Sequence, residues 1–182
     1  MTKTVLIPIA RGSEEMECVI VVDMLRRAGI KVIIVSDLDI VTCSRGVKII
    51  PDILFENLEK DETFDAIVLP GGAVGTENLK TNSALEDILI NHFRQGKLIA
   101  AICAAPTILA FHNIINNGVE ITSHPSVKKQ LIEYDYKEEK VVVSDNIITS
   151  RGAGTAFDFS LTLIEKLVGK DKAKEVSSSI VY

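Results

Sequence analysis

The chain has 182 residues, of which 47% are apolar and 25% charged, and it carries a net charge of −5. Those figures describe one soluble domain spanning residues 1–182, large enough to enclose a full hydrophobic core. They give no electrostatic case for a nucleic-acid or membrane partner, and no stretch reaches transmembrane length or reads as a secretory leader.

In chain order the sequence alternates strand and helix signals. "TVLIPIA" is a short apolar run closed by the turn Arg11-Gly12. "SEEMECVIVVDMLRRAG" reads as a helix, with Ser13 as its cap, Glu14 and Glu15 serving the positive end of its dipole, and Gly29 at C′. "KVIIVS" is a buried strand, and residues 40–50 form a hairpin around Ser44-Arg45-Gly46. "DAIVLPGG" is a strand ending in a glycine pair. "SALEDILINHFRQG" carries a Ser83/Glu86 capping box, an apolar stripe of Leu85, Ile88, Leu89 and Phe93, and Gly96 as its stop. "LIAAIC" is another buried strand, with a helix starting near Pro106. "VEITSHP", "VVVSD" and "NIITSRG" read as strands, residues 134–146 as an exposed hairpin, and a helix over 155–168 precedes a short helical tail. Strands alternating with helices imply an α/β fold with a mostly parallel sheet covered on both faces.

Ligands of open α/β sheets bind beyond the carboxyl ends of the strands. The residues placed there are Gly12 leading into Glu17, Gly71-Gly72, Cys103, His124 and Arg151-Gly152. Cys103 sits in "AAICAAPT", where a strand turns at once into a helix. Ala101 and Ala105 are the small flanks that such an elbow requires, and the helix that follows is expected to lower the thiol's pKa. A buried structural cysteine is the alternative. Glu17 lies on an apolar stretch of its helix. Burial there would raise its pKa and let it donate a hydrogen bond to a thiolate, unless it simply serves the helix dipole. Gly71-Gly72 offers backbone amides for an oxyanion hole together with Ala104, or else an ordinary turn. His124 is a candidate proton-transfer partner or a structural histidine. His92 reads as packing, and His112 as a helix-end contact. Three cysteines with no CxxC pair argue against a disulfide framework or a zinc site, and for a reducing, cytoplasmic setting. No dinucleotide or phosphate-loop motif calls for a cofactor, and no histidine cluster calls for a metal. Cys43, in a polar turn, reads as the more exposed of the two remaining thiols and a secondary oxidation site.

The segments "GSEEMECVIVVDMLRRAGIKV", "CSRGV", "DAIVLPGG", "LIAAICAAPT", "SHP" and "TSRGAGTAFDF" together resemble the ThiJ/PfpI superfamily, whose domain is of the class I glutamine amidotransferase type, and most closely its parkinsonism-associated protein deglycase branch. The resemblance spans nearly the whole chain. It implies a flavodoxin-like sandwich in a homodimer, with Cys103 as nucleophile, Glu17 as its acid partner, His124 assisting, and oxyanion contacts from Gly72 and Ala104. It places Met16, Arg27 and Arg45 near the dimer interface. Ala153 stands where the family often has proline, and Ile50 where animal relatives carry a further cysteine. The activity implied is a cofactor-free glyoxalase or protein deglycase acting on methylglyoxal, glyoxal and their early glycation adducts. A non-enzymatic oxidative-stress sensor or redox-regulated chaperone is the alternative. A cysteine peptidase or amidase, and a role in thiamine-precursor metabolism, rank below both.

Overall fold

The computed structural model describes residues 2–59 and 62–182. The chain runs β1 (Thr4–Pro8), α1 (Glu15–Arg27), β2 (Lys31–Ser36), β3 (Val41–Thr42), β4 (Lys48–Ile49), β5 (Ile53–Leu54), β6 (Ala66–Leu69), α2 (Ala73–Lys80), α3 (Ser83–Arg94), β7 (Leu98–Ile102) and α4 (Pro106–Phe111). It continues through β8 (Glu120–Ile121), a 3-10 segment (Pro125–Gln130), β9 (Asp135–Tyr136), β10 (Val141–Ser144), β11 (Ile147–Ser150), α5 (Ala156–Val168) and α6 (Lys170–Ser179). A seven-stranded sheet has the order β10-β11-β7-β6-β1-β2-β5. Every neighbouring pair in it is parallel except β10 with β11.

Side chains of a strand alternate between faces, and here both faces are covered. Val5 and Ile7 of β1, Ala66 and Val68 of β6, and Ala100 and Ile102 of β7 join one core with Val21, Leu25, Phe159 and Leu163 from α1 and α5. Leu6, Ile67, Leu69, Ile99 and Ala101 join the other core with Leu85 and Leu89 of α3 and Ile108 of α4. This double burial explains why the central strands read as unbroken apolar runs. The resulting mostly parallel sheet between helical layers is the sandwich expected from the sequence.

Several local expectations are corrected. Glu14, not Ser13, is the N-cap residue of α1, and the Ser13 hydroxyl instead accepts from the Ala10 amide at 3.0 Å. Asn82 caps α3, its side chain accepting from Leu85 N at 2.9 Å, so no Ser83/Glu86 box forms. On that helix His92 is buried, its Nε2 lying 3.0 Å from Leu98 O, while Phe93 of the expected stripe is exposed. The segment "VEITSHP" contributes only β8, which pairs in parallel with β9 outside the main sheet. The residues read as a hairpin over 134–146 divide accordingly, and β10 pairs with β11 instead. Helix α2 and the edge strand β5 carried no sequence signal strong enough to be read.

Candidate active site

The first turn of α1 and the turns after β6 and β7 meet at one end of the sheet. Cys103 follows β7 directly, with Pro106 opening α4 at the position where a missing N–H does no harm. Its φ is +66°, the left-handed region that costs a side-chain-bearing residue about 1–2 kcal/mol. Both backbone groups pin it there: Cys103 N donates to Ser150 O at 3.0 Å, and Cys103 O accepts from His124 N at 2.8 Å. Ala101 and Ala105 are fully buried beside it, which accounts for their size. Cys103 is half-buried, whereas Cys18 and Cys43 are buried. That corrects the expectation of an exposed Cys43, whose thiol burial, with Glu15 and Glu14 nearby, pushes up to about 11.

Glu17 is 1% exposed. Its Oε2 accepts from Gly71 N at 2.7 Å, while its Oε1 is buried without a hydrogen-bond partner of good geometry. Burial pushes the carboxyl up to about 7 against the pull of the Gly71 amide and the Cys103 thiol, with Glu14 adding to the rise. Burial likewise pushes the Cys103 thiol up to about 12, helped by the negative charge of Glu17 and opposed by the amides of Gly72 and Ala104. The expected lowering of the thiol pKa by α4 is therefore overturned. That helix has six residues, and desolvation beside a carboxylate outweighs its dipole. The two groups titrate as a pair that holds a single proton over the range between those two values.

The glycine pair makes this approach possible. A Cβ on Gly71 would lie 2.6 Å from Cys103 Cβ and 2.8 Å from Glu17 Oε2. Gly72 has φ +90°, and a Cβ there would collide with Gly12 O. The amides of Gly72 and Ala104 both reach the Cys103 sulfur. Gly71, expected beside them, has its amide committed to Glu17.

His124 is exposed at the start of the 3-10 segment. Its ring bonds to Ser126, with Nδ1 lying 2.8 Å from Ser126 Oγ and accepting from Ser126 N at 3.2 Å, and not to the Cys103 or Glu17 side chains. Gly152 borders the ring, since a Cβ there would stand 3.5 Å from His124 Cδ2. Arg151 is engaged elsewhere, its Nη1 donating to Glu138 O at 3.0 Å. His112, expected to contact a helix end, does so on a neighbouring helix, with Nε2 3.1 Å from Lys80 O at the end of α2.

Glu14 and Glu15 do more than serve the dipole of α1. Both reach Ser44 Oγ, at 2.6 and 2.8 Å, and Glu15 Oε1 accepts from Arg45 N at 2.8 Å. They thereby fasten the β3–β4 turn to the start of the helix that carries Glu17. Sequence reasoning missed this clamp and the Ser126 contact. The serine two places after His124, beyond a proline, was the only signal for the second. Among the described residues no group of three His, Cys, Asp or Glu side chains converges in a way that could hold a metal ion.

The DJ-1/PfpI family pattern matches residues 3–166. The chain belongs to the DJ-1/PfpI family. Drosophila melanogaster protein dj-1beta is 46% identical over 100% of this chain and 98% of its own. Its crystal structure superposes with a TM-score of 0.93. The Caenorhabditis elegans protein named glutathione-independent glyoxalase DJR-1.2 is 37% identical over 94% of this chain and 91% of its own. Oxidized Toxoplasma gondii DJ-1 is 40% identical, covers 100% of this chain and 99% of its own, and also gives a TM-score of 0.93.

Proposed function

We propose that this DJ-1/PfpI protein is a cofactor-independent glyoxalase acting on methylglyoxal and glyoxal. The observation that carries the reading is the buried Glu17 carboxyl set against the half-buried Cys103 thiol, with the Gly72 and Ala104 amides favouring the thiolate. Such a pair can exist as carboxylate and thiol, or as carboxylic acid and thiolate. In the second form the thiolate is held by the Gly72 and Ala104 amides while the proton waits on Glu17. The thiolate adds to the aldehyde carbon of methylglyoxal, and the new oxygen takes up a proton to complete a hemithioacetal. Glu17 as carboxylate removes the hydrogen from that carbon as a proton, giving an enediolate, and returns it to the neighbouring carbon while the hydroxyl proton passes from the first oxygen to the second. The product is a lactoyl thioester, which water cleaves to lactate and free Cys103. No electrons enter or leave, so neither an oxidant nor glutathione is required. The relative named as a glutathione-independent glyoxalase supports this reading.

Early glycation adducts of cysteine, lysine or arginine present the same hemiacetal-type carbon, and protein deglycation follows as an extension to that substrate class. A second reading, an oxidative-stress sensor or redox-regulated chaperone, draws support from the oxidized Toxoplasma relative and from Cys103 being the one cysteine of the three that is not buried. The three free thiols fit a reducing, cytoplasmic setting, and among the described residues no helix is long and apolar enough to cross a membrane. The test is lactate formation from methylglyoxal without glutathione, with wild type and Cys103→Ser side by side. Lactate from the wild type alone supports the glyoxalase. Equal lactate from both sinks the nucleophile, and lactate from neither transfers the thiol to the sensor reading.

We further infer a homodimer through α1. Met16 and Val19 are each about half exposed. Beside them a groove of about 510 Å³ runs past Cys18, Val22, Ile34 and Ile49. Arg27 at its rim is held by Asp23 at 2.8 Å, and Arg45 lies on the turn that Glu15 fastens. A second copy would cover this face. Sedimentation of Met16→Glu should show a monomer where the wild type is dimeric, and a monomeric wild type overturns the assignment.

A further inference from the structure

The 3-10 segment that begins at Pro125 sets two donors of Ser126 against one nitrogen of the His124 ring. Proline restricts the residue before it to extended backbone, and His124 has φ −62° and ψ 138°. In that geometry a side chain can turn back over the following amides, as N-cap residues do. His124 Nδ1 takes this role and accepts from Ser126 N at 3.2 Å. An amide hydrogen is fixed to its nitrogen, so the ring atom facing it must offer a lone pair. The Ser126 hydroxyl, 2.8 Å from the same Nδ1, can rotate its hydrogen toward it and adds a second donor.

We infer that Ser126 is a positioning residue that holds His124 in its Nε2–H form, so that the imidazole enters the reaction as a hydrogen-bond donor and not as a base. The Cδ2–Nε2 edge is the one that borders Gly152, past the end of β11. The His124 amide meanwhile donates to Cys103 O, which ties the histidine to the nucleophile turn. A donor there is suited to the carbonyl oxygen of a bound α-oxoaldehyde, where negative charge develops as the enediol forms. Glu17 is then left as the proton carrier, with His124 polarising the second oxygen. Ser123 and Tyr136 keep the segment in place: Tyr136 Oη donates to Ser123 O at 3.0 Å and lies 3.1 Å from Ser123 Oγ.

The kinetic part rests on the glyoxalase reading, whereas the tautomer can be read without turnover. The full chain labelled with ¹⁵N-histidine contains three rings, and a His124→Gln variant assigns the third. Long-range proton–nitrogen correlations in alkaline buffer should show His124 with a protonated Nε2 and an unprotonated Nδ1. Ser126→Ala keeps the amide donor and loses only the hydroxyl, so Nε2–H should still dominate while an Nδ1–H fraction becomes detectable, and Ser126→Thr should remove that fraction. With methylglyoxal, loss of one hydrogen bond should lower kcat of Ser126→Ala by about three- to tenfold at nearly unchanged KM, with threonine restoring it. A wild-type His124 protonated at Nδ1 overturns the inference, as does a Ser126→Ala variant that shows neither a new Nδ1–H fraction nor a lower kcat. If wild type makes no lactate, the glyoxalase reading fails while the spectra still decide the role of Ser126.

Discussion

The carboxyl of Glu17 and the thiol of Cys103 face each other across the backbone of Gly71: burial makes both harder to ionise, the Glu17 charge raises the thiol further, and the thiol's hydrogen bond pulls the carboxyl back down. Neither group is a strong acid in this setting, and together they retain a single proton above about 7. The Gly71 amide fixes one oxygen of the carboxyl, leaving Oε1 without a fixed partner and free to exchange a proton. The pair can thus present a thiolate for attack and a carboxylate for proton removal in successive steps without exchanging protons with solvent.

Replacing Glu17 by glutamine separates thiol acidity from catalysis. Without the carboxylate charge, the Cys103 thiol should titrate below its value of about 12. More thiolate at neutral pH should nonetheless accompany a loss of methylglyoxal turnover of about 100-fold or more, because the proton carrier is gone. Ultraviolet titration of the thiolate, run beside a lactate assay, checks both. A variant that gains thiolate and keeps its rate would remove Glu17 from the chemistry.

Stability should carry the signature of the same carboxyl. An unfolded glutamate ionises near 4.5, whereas Glu17 in the fold holds its proton up to about 7. Between those values the folded state binds more protons than the unfolded one, so its stability falls as pH rises. The contribution is complete below 4.5, lost through about 7 and level above it, with a span of about 3 kcal/mol. Urea unfolding of wild type and Glu17→Gln across that window should show the difference between them growing by about that amount. A constant difference would mean that the carboxyl ionises normally.

The left-handed backbone at Cys103 predicts an unusual ranking of variants. Alanine keeps the Cβ that strains this conformation, whereas glycine removes it. Cys103→Gly should therefore be more stable than Cys103→Ala by about 1 kcal/mol, with both inactive. Thermal denaturation decides the order, and a more stable alanine variant would show that the elbow is unstrained.

A single methyl at Gly71 should disable the site. Its Cβ would press on Cys103 Cβ, Glu17 Oε2 and Ile102 O, all within 2.9 Å. Gly71→Ala should lose about 1–3 kcal/mol of stability and most turnover, because thiol and carboxyl are forced apart. Wild-type values in both measurements would show that the strand end yields easily.

The elements lying deepest in the fold were the easiest to read. β1, β2, β6 and β7 are continuous apolar runs because helices bury both of their faces, and α5 over Ala156–Val168 matches its expected span closely. The weak signals belong to pieces whose form depends on partners far along the chain. "AVGTENLK" becomes α2 only once Gly72 turns against Gly12 and Ser13. β5 has two residues and exists through pairing with β2. Cys43 reads as exposed among polar neighbours, yet the clamp from Glu14 and Glu15 draws its turn onto α1 and buries it.

For the site, the residue types alone indicated a nucleophile. Small flanks, a following proline and a cysteine at a strand end define a sharp turn by steric requirement, and an acid on an apolar helix face is conspicuous wherever that helix packs. Tertiary structure decided how those groups behave. The Gly71 amide meets Glu17 across 54 positions of sequence. Burial at that meeting point raises both pKa values, where the local helix dipole had suggested a lowered one. Periodicity and steric demands are local and can be read along the chain. Desolvation and charge coupling depend on what is brought into contact, and only the folded chain sets them.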